Sequence, residues 1–581
     1  MALTVDIWND PAMKASAITS QYRQWENTRT TAANFWKEID SYIYSTDTNQ
    51  LVGVEQNFDH TTHIPVVAEL KDDLDALMFT TLFPHDDWLG WRMDHPDSIQ
   101  KDKQLKVTNY VKNRFSLNGF REVMMKCVSD FDSYGNCFAQ VSYVDETNAN
   151  GEGYVGPRIT RISPYDIVFN PAAKSFEKAT PIIREVIDFG EFAHRASLDQ
   201  NWNQEVVEEV LANRRTGTSS HISNTFKEQQ YIPAGFTSIF EYLKSGFVEV
   251  LWFYGDVFDL ETQTLHRDMC IGVVDGREIL FELENVRSGI FHAGDILQPD
   301  NLWAMSSLSR VIGMNFQINH RENAKAHAMD RFIYPDKVLL GDVGPMFDDV
   351  TGAITYVGTE NAQVSDIVPD TTVLTYNNEV AQYLSLARSA VRLPPQLAGF
   401  RSPGEKTLGE VNMLQEGAFK GIVNKAERFE ISFLEPIVKE VLRQGNEHLD
   451  RALEIVTDTA EGVPNIISIT KDDLDSSGTL VPYGARRFAR DLQQFQTLNL
   501  LANSNLGALV SKHLDTFKLA ESVERLGGFG KYEIFSRNRQ IEESLEDQAQ
   551  AAAAEQALAG TLAQPTAEEL AIEEEAQILG L

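Results

Sequence analysis

Helical spacing of apolar residues dominates the chain as far as Gly135. Val67, Leu70 and Leu74 recur three and four positions apart ahead of Pro84, which is typical of an amphipathic helix that ends at a proline. The pattern predicts four helices in this part of the chain, over 12–45, 64–83, 97–116 and 118–133.

Alternation of apolar and polar residues replaces the helical spacing after Gly135. The strands that it predicts are 137–144, 158–170, 247–253, 264–274 and 278–286. Asp275-Gly276, between the last two, is a typical two-residue hairpin turn. A polar helix over 190–213 and a loop over 214–235 are predicted between the second and third strands.

The helical period returns after Asp300. Leu302–Tyr334 contains no proline and predicts one helix about 50 Å long, at about 1.5 Å per residue. Its middle is polar and includes Asn315, Asn319 and Asn323. We expect a helix that is polar on most faces to be either solvated or packed against partner subunits.

Proline, glycine and capping signals divide the rest of the chain. They predict a small β-containing module over 336–373, a helix over 376–393, a loop over 394–406, a helix from 407 to about 444, a strand near 466–470 and helices over 485–536. Thr407–Glu410 matches a capping box, which begins the helix that runs to about 444. Pro436 lies inside this helix and is expected to kink it. The tail, 541–581, has ten acidic residues and no basic ones.

The charge balance narrows the classes of function. The 581 residues include 51 Lys and Arg against 85 Asp and Glu, a net charge of −34, so most of the surface should repel phosphate. Apolar residues are 43% of the chain, which excludes a wholly disordered protein. The three cysteines, Cys127, Cys137 and Cys270, are too few for a disulfide framework and are expected to be buried thiols. No stretch predicts a secretory signal or a membrane span.

Motifs that carry chemistry are weak. Gly151–Gly156 matches GxGxxG, but the strand predicted after it favours a hairpin turn over a phosphate site. Asp130–Gly135 begins like a calcium loop, yet Val141 occupies the position that needs Glu. His60 and His63 lie three positions apart, where a solvated or turn-capping pair is favoured over metal ligands. We therefore predict no metal, no cofactor and no enzymatic activity.

One local group of cations stands out in this acidic chain. Arg388 and Arg392 lie one turn apart on a predicted helix, and Arg401 and Lys406 lie in the loop beyond it. Cations that offset a helix C-terminus and solubilise a loop are the favoured interpretation. Occasional contact with a polyanion is the alternative.

The order of the elements is more specific than any motif. A long polar helix, a small β module, a returning helix, a Gly/Pro loop and a long kinked helix follow one another. In this order the chain resembles the portal proteins of tailed bacteriophages, above all the head-to-tail connectors of short-tailed phages. Local stretches similar to that family are Val67–Met78 with Leu82-Phe83-Pro84 and Trp88, Gly404–Thr407 with Gly409–Val411, and Ser163–Asp166 with Asn170–Ala172.

The resemblance implies an α+β subunit with named parts. They are a wing of helices and strands over 1–300, a stem helix over 301–334, a clip over 335–375, a second stem helix over 376–393, a tunnel loop over 394–406, the long kinked helix and the rest of the wing over 407–485, a helical crown over 486–540 and the acidic tail over 541–581. The polar stem helix would then contact neighbouring subunits and the channel.

The resemblance also implies a role and partners. Such subunits form a ring, usually of twelve copies, at one capsid vertex, through which double-stranded DNA is packaged and ejected without sequence preference. The clip would dock the terminase large subunit and later the tail adaptor and tail proteins, and capsid and scaffolding proteins would surround the ring. The protein would be located in the virion, assembled in the host cytoplasm and independent of membranes. The expected DNA contacts are Arg388, Arg392, Phe400, Arg401 and Lys406, with lysine at 406 where the family commonly has arginine.

Two alternatives stay open at this point. Another head–tail structural protein, such as an adaptor, is disfavoured because adaptors are usually much shorter. An enzyme whose site is assembled from scattered acids is disfavoured because the sequence has no phosphate-binding loop or nucleophile motif.

Overall fold

The structure is a computed structural model that describes residues 3–54, 59–84, 88–93, 99–146, 153–199, 201–215, 247–333, 336–340, 363–367, 376–393, 421–449, 452–458, 464–474 and 478–484. The chain divides into two compact units, the first of 1–457 with 466–488 and the second of 458–465 with 489–581. Nearly all of the second unit lies outside the described residues. The loop predicted over 214–235 lies outside them from residue 216 on. The predicted tunnel loop, the capping box at 407–410, the predicted crown and the acidic tail lie outside them entirely.

The helices agree closely with the apolar spacing in the first part of the chain. Their bounds are α1 Pro11–Tyr44, α2 Val66–Leu82, α3 Ile99–Leu117, α4 Phe120–Tyr134, α5 Phe189–Leu198, α6 Gln204–Arg215, α7 Ile312–Ile333, α8 Tyr376–Ala390, α9 421–448 and α10 Lys471–Leu474. Asp10 begins α1 by accepting from the backbone N–H groups of Ala12 and Met13. Gly119, at a φ of 60°, separates α3 from α4. The four helices predicted before Gly135 are confirmed.

The strands complete a mixed α+β fold. They are β1 Leu3–Val5, β2 Leu89–Met93, β3 Asn136–Asp145, β4 Val155–Ile162, β5 Ile167–Val168, β6 Ile182–Asp188, β7 Phe247–Asp259, β8 Leu265–Val274, β9 Glu278–Leu283, β10 Ile290–Gly294, β11 Ile296–Gln298, β12 Asn301–Met305, β13 Asp336–Leu340, β14 Gln363–Ile367, β15 Leu453–Asp458, β16 Pro464–Ile469 and β17 Gly478–Pro482. The strand predicted over 158–170 is divided into β4 and β5.

The largest described sheet has the order β5-β6-β7-β8-β9, with β1 added parallel to β7. Asp275 and Gly276 have φ of 50° and 69°, so the predicted hairpin turn joins β8 to β9 with both residues in the left-handed region. Side chains alternate along β7. Val248 and Val250 pack towards α5 and α6, whereas Leu251 and Phe253 pack towards α1. The sheet is therefore buried between helices on both faces.

A second core lies around α2, α4 and α9. Trp88, Phe115 and Phe120 stack there, with 4.0 Å between the ring centroids of the two phenylalanines. The sheet β10-β3-β4 borders this core, and β2 pairs antiparallel with β17. Cys127, Cys137 and Cys270 are all buried free thiols, as predicted.

The prediction of one helix over Leu302–Tyr334 is wrong at its start. Residues 301–305 form strand β12, Leu308–Arg310 form a 3₁₀ turn, and α7 begins only at Ile312. The N–H of Leu302 donates to the carbonyl of Pro171, and the ring of Trp303 stacks 4.3 Å from that of Phe169. These long-range contacts override the helical spacing of the apolar side chains.

The single helix predicted over 190–213 is also wrong, because the structure has α5 and α6 instead. Asp199 ends α5 and accepts from the N–H of Asn201, which turns the chain. Trp202 is then buried against Phe192 between the two helices. Burial of one large ring is favourable enough to break a weakly amphipathic helix.

Pro436 is accommodated without ending α9. Glu430–Leu434 form a π-helical turn directly before it, and the α-helix resumes at Glu435. A proline cannot donate to the preceding turn, and a π-helical turn rearranges the backbone hydrogen bonds at such a point. The predicted disturbance at Pro436 therefore takes the form of a π-helical turn.

Candidate functional site

The two helices predicted as a stem, α7 and α8, pack against each other. Arg321 of α7 joins them, since its Nε lies 3.1 Å from Glu379 Oε2 and its guanidinium lies 4.5 Å from the ring centroid of Tyr383. Strands β13 and β14 lie between the two helices in sequence and pair antiparallel, with Asp336 opposite Ile367. A helix, a strand pair and a returning helix that contacts the first helix thus follow one another in the chain, and we call these elements the helix–strand–helix unit.

Three asparagines on α7 hold the segment that leads into α2. Asn315 accepts from the N–H of Val67 at 3.1 Å and donates to the carbonyl of Ile64 at 3.1 Å. Asn319 accepts from the N–H of Ile64 at 2.9 Å, and Asn323 donates to the carbonyl of Thr62 at 3.1 Å. We call these three side chains the asparagine ladder.

The asparagine ladder corrects the expectation for the polar middle of α7. The exposed fractions of Asn315, Asn319 and Asn323 are 0%, 2% and 4%, so this face is neither solvated nor free for a neighbouring subunit. Four-residue spacing puts the three amides on one face, where each replaces a backbone partner that the extended 62–67 segment lacks. This one polar face of α7 is therefore bound to a segment of the same chain.

His63 belongs to the same network, and its exposure contradicts the predicted solvated or turn-capping pair. It is 8% exposed, and its Nε2 lies 3.1 Å from the carbonyl oxygen of Tyr42, which can only accept. Its Nδ1 then accepts from the Nδ2 of Asn319 at 2.7 Å. Burial lowers the pKa of His63, which favours this neutral form. His60 contacts Asp330 instead, so the two histidines do not converge.

The structure describes two of the five predicted DNA-contact residues, and their surroundings differ. Arg388 forms an ion pair with Glu69 in the first turn of α2, and its side chain is only 17% exposed. Arg392 is exposed just beyond α8 at a φ of 62°, and its Cδ would lie 2.6 Å from a Cβ added at Gly421. Phe400, Arg401 and Lys406 lie outside the described residues.

A buried ionic junction lies where α9 contacts the segment before α7. Lys425 Nζ is 2.7 Å from Asp132 Oδ1 and 3.0 Å from Asp295 Oδ2. Asp295 Oδ2 also accepts from the N–H of Ser307, and its carbonyl accepts from Arg428 at 2.9 Å. The junction connects α9 with the end of α4, the β10–β11 turn and the segment before α7.

The charges of this junction do not balance. Two carboxylates face one ammonium group, and all three side chains are less than 10% exposed. Burial raises the pKa of Asp132 to about 7 in spite of Lys425, and the nearby Asp75 and Asp295 add to the rise. Burial opposes the charged form of Lys425, but the two carboxylates outweigh it and raise the pKa of the amine. The junction therefore favours a protonated carboxyl at mildly acidic pH.

An open groove of about 910 Å³ lies on the outer side of the same region. Its apolar lining includes Phe176, Leu297, Leu302 and Ile431, and its cations are Lys174 and Arg428 with Asp300 as a single acid. Leu297 and Ile431 are 59% and 51% exposed. Nothing in the local sequence predicts this groove, because its residues come from three distant segments.

The ionic junction and the asparagine ladder had weak signals in the sequence. Asn315, Asn319 and Asn323 recur every four residues, and Lys425 follows Ile422 by three positions on an apolar stripe. Asp132 belongs to the incomplete calcium-loop motif that begins at Asp130, and Arg161 binds Asp130 in the structure. Among the described residues, no group of three His, Cys, Asp or Glu side chains is arranged to hold a metal ion.

Comparisons with known proteins add no assignment. No protein-family model matches the chain, and a comparison with curated proteins gives no match. Every helix in the described part of the chain is too short or too polar to cross a membrane.

Proposed function

We propose that this chain is the subunit of a portal ring, the head-to-tail connector through which a tailed bacteriophage packages and ejects double-stranded DNA. The observation that carries the proposal is the unit of α7, the β13–β14 pair and α8. It has the order expected of a stem, a clip and a returning stem. It is followed by the predicted tunnel loop and then by α9, which the ionic junction ties to the segment before α7.

The rest of the proposal follows the same order of elements. The α/β body would be the wing, 335–375 the clip that docks the terminase large subunit and later the tail adaptor, and 486–540 the crown. The ring, of about twelve copies, would sit at one vertex among capsid and scaffolding proteins. No enzymatic role is assigned, so the energy for packaging would come from a separate motor.

The net charge of −34 supports passage of DNA over tight binding. Each cation that neutralises a phosphate adds to affinity by releasing a counterion, so an acidic protein with few accessible cations binds duplex DNA weakly. Arg388 is already paired with Glu69, which leaves Arg392, Arg401 and Lys406 as the proposed transient contacts. A duplex would slide past such sparse cations without sequence preference.

The test is the assembly state of the purified chain, seen by negative-stain electron microscopy and measured by light scattering. We expect rings with a central hole wide enough for a DNA duplex. The asparagine ladder binds one polar face of α7 within the chain, so the polarity of that face is no sign of assembly and the assembly state is measured directly. Particles that stay monomeric over a wide concentration range would contradict the portal proposal.

A further inference from the structure

The groove described above has an unusual surface for so acidic a chain. Leu297 and Ile431 flank it and are more than half exposed, although burial of aliphatic side chains of this size is favourable. Exposed aliphatic residues that line one concave site indicate a surface that is covered in the working protein.

The charge around the groove indicates what covers it. Lys174 and Arg428 are both exposed, and within the described part of the chain neither forms an ion pair with a carboxylate. Asp300 is the one acid in the lining. Burial lowers the pKa of His292, at the base of the groove, to about 3, so this side chain adds no charge near neutral pH. The groove is therefore cationic and aliphatic.

We propose that this groove is a docking site for a second copy of this chain, which inserts an acidic, aliphatic part of its surface. The chain has 85 acidic against 51 basic residues, so a second copy supplies the complementary charge. The proposal rests on the portal function, because a closed ring brings the same groove of every subunit against a different surface of the next. Interfaces of this kind need roughly 800 Å² from each partner, and the groove would form the apolar centre of one.

The position of the groove gives the contact a consequence. Arg428 and Ile431 lie on α9, on the turns that follow Lys425 of the buried junction. A neighbour seated in the groove would contact the same helix that holds the segment before α7, because Arg428 both lines the groove and donates to the carbonyl of Asp295. Assembly would then fix α9 in each subunit.

The first experiment changes the groove without changing the core. Leu297→Asp and Ile431→Asp introduce repulsive charge at exposed positions, and Met125→Asp is the matched control because Met125 is 54% exposed on α4 and does not line the groove. Lys174→Glu tests the charge, with the exposed Arg267→Glu as its control. We expect each groove variant to raise the concentration for half-assembly by about tenfold or more, and each control to leave it unchanged.

The second experiment identifies the occupant. The three native cysteines are buried, so Leu297→Cys can be labelled selectively with a benzophenone maleimide. Light should then cross-link the label to another copy of the chain, whereas a label at Leu198→Cys, a position that is 62% exposed, should not cross-link. Mass spectrometry of the product names the partner.

The outcomes separate this inference from the portal proposal. Rings that form normally in the Asp variants, with no cross-link from position 297, overturn the docking site and leave the portal proposal standing. A cross-linked pair from particles that never close into rings supports the docking site and contradicts the portal. A cross-link to another protein or to DNA in place of a second copy overturns the docking site, and a wild-type chain that stays monomeric overturns both.

Discussion

Lys425 lies at a position where the apolar spacing of α9 predicts an aliphatic side chain. It is instead the only cation within reach of two buried carboxylates in the described structure, at 2.7 Å and 3.0 Å. Leaving a buried charge without its partner is far more costly than losing an exposed ion pair. The burial of both carboxylates therefore depends on this one ammonium group.

We predict that Lys425→Met lowers the free energy of unfolding by about 3–5 kcal/mol, because Asp132 and Asp295 would stay buried without a cation. Lys439→Met is the control, since Lys439 is half-exposed and pairs with Glu435 of its own helix, and it should change stability by less than about 0.5 kcal/mol. Urea unfolding followed by tryptophan fluorescence measures both. Equal urea midpoints for the two variants would contradict a stabilising role for Lys425 in the junction.

Asp132 predicts a pH dependence with a definite sign. A carboxyl whose pKa is raised from near 4 to about 7 by folding holds its proton more tightly in the folded chain. The stability that this proton contributes is present at pH 4 and is lost as the pH rises through 7. We therefore predict that Asp132→Asn, which cannot titrate, gains in Tm relative to the wild type between pH 4 and pH 8.

The control for this prediction is Asp72→Asn, because the Asp72 side chain is 82% exposed. Its difference from the wild type should be nearly constant over the same pH range. A difference curve for Asp132→Asn that is equally flat would contradict a raised pKa at this site.

At the scale of the elements, side chains connect the helices, through backbone groups in the asparagine ladder and through a carboxylate at Arg388. The asparagine ladder fastens α7 to the segment entering α2, and Arg388 fastens α8 to the first turn of the same helix. Both α7 and α8 are therefore attached to α2 within one chain. An amide suits this task because it donates and accepts at once.

We predict that Asn319→Ala lowers the free energy of unfolding by about 2–4 kcal/mol. The change removes the acceptor for the N–H of Ile64 and the donor for His63, and each buried polar group left without a partner costs about 1–3 kcal/mol. Asn424→Ala, at an exposed position of α9, is the control and should stay within about 0.5 kcal/mol. Chemical denaturation measures both, and a near-neutral Asn319→Ala would mean that water replaces the amide.

The sequence predicts elements well where local spacing and local burial agree. The bounds of α2 and the hairpin turn at Asp275-Gly276 follow from spacing and turn chemistry alone. The helix predicted from Leu302 is wrong at its start because the contacts of Trp303 and of the Pro171 carbonyl stabilise an extended backbone. Neither contact is visible in the local sequence. The sequence does not predict the contact of Lys425 with its two carboxylates for the same reason, since their three segments meet only in the folded chain.

At the scale of the whole molecule, the proposed contacts with DNA lie mainly in the loop 394–406. Arg388 is held by Glu69, so a change there would mix the loss of this ion pair with any effect on DNA. Arg401 and Lys406 are predicted from the sequence as surface cations of the loop 394–406. They are the pair that tests contact with DNA most directly.

We predict that the double variant Arg401→Ala and Lys406→Ala assembles like the wild type, with stability changed by less than about 0.5 kcal/mol. Packaging efficiency, or retention of packaged DNA, should change instead, because weak phosphate contacts act on a sliding duplex. An in vitro packaging assay on intact rings measures this. Wild-type packaging and retention by the variant would reject a role for these two cations in the channel.

The pairing of β2 with β17 has a consequence for synthesis of the chain. Leu89–Met93 emerges early from the ribosome, but its antiparallel partner Gly478–Pro482 is made only after almost 400 further residues. At about 5–20 residues per second, that is a wait of roughly 20–80 s. For that interval the edge of the nascent amino-terminal body exposes open backbone donors and acceptors. The last fifth of the polypeptide must therefore reach back to close a fold that its first fifth began, and a ribosome that stalls before Gly478 leaves a chain ready to aggregate.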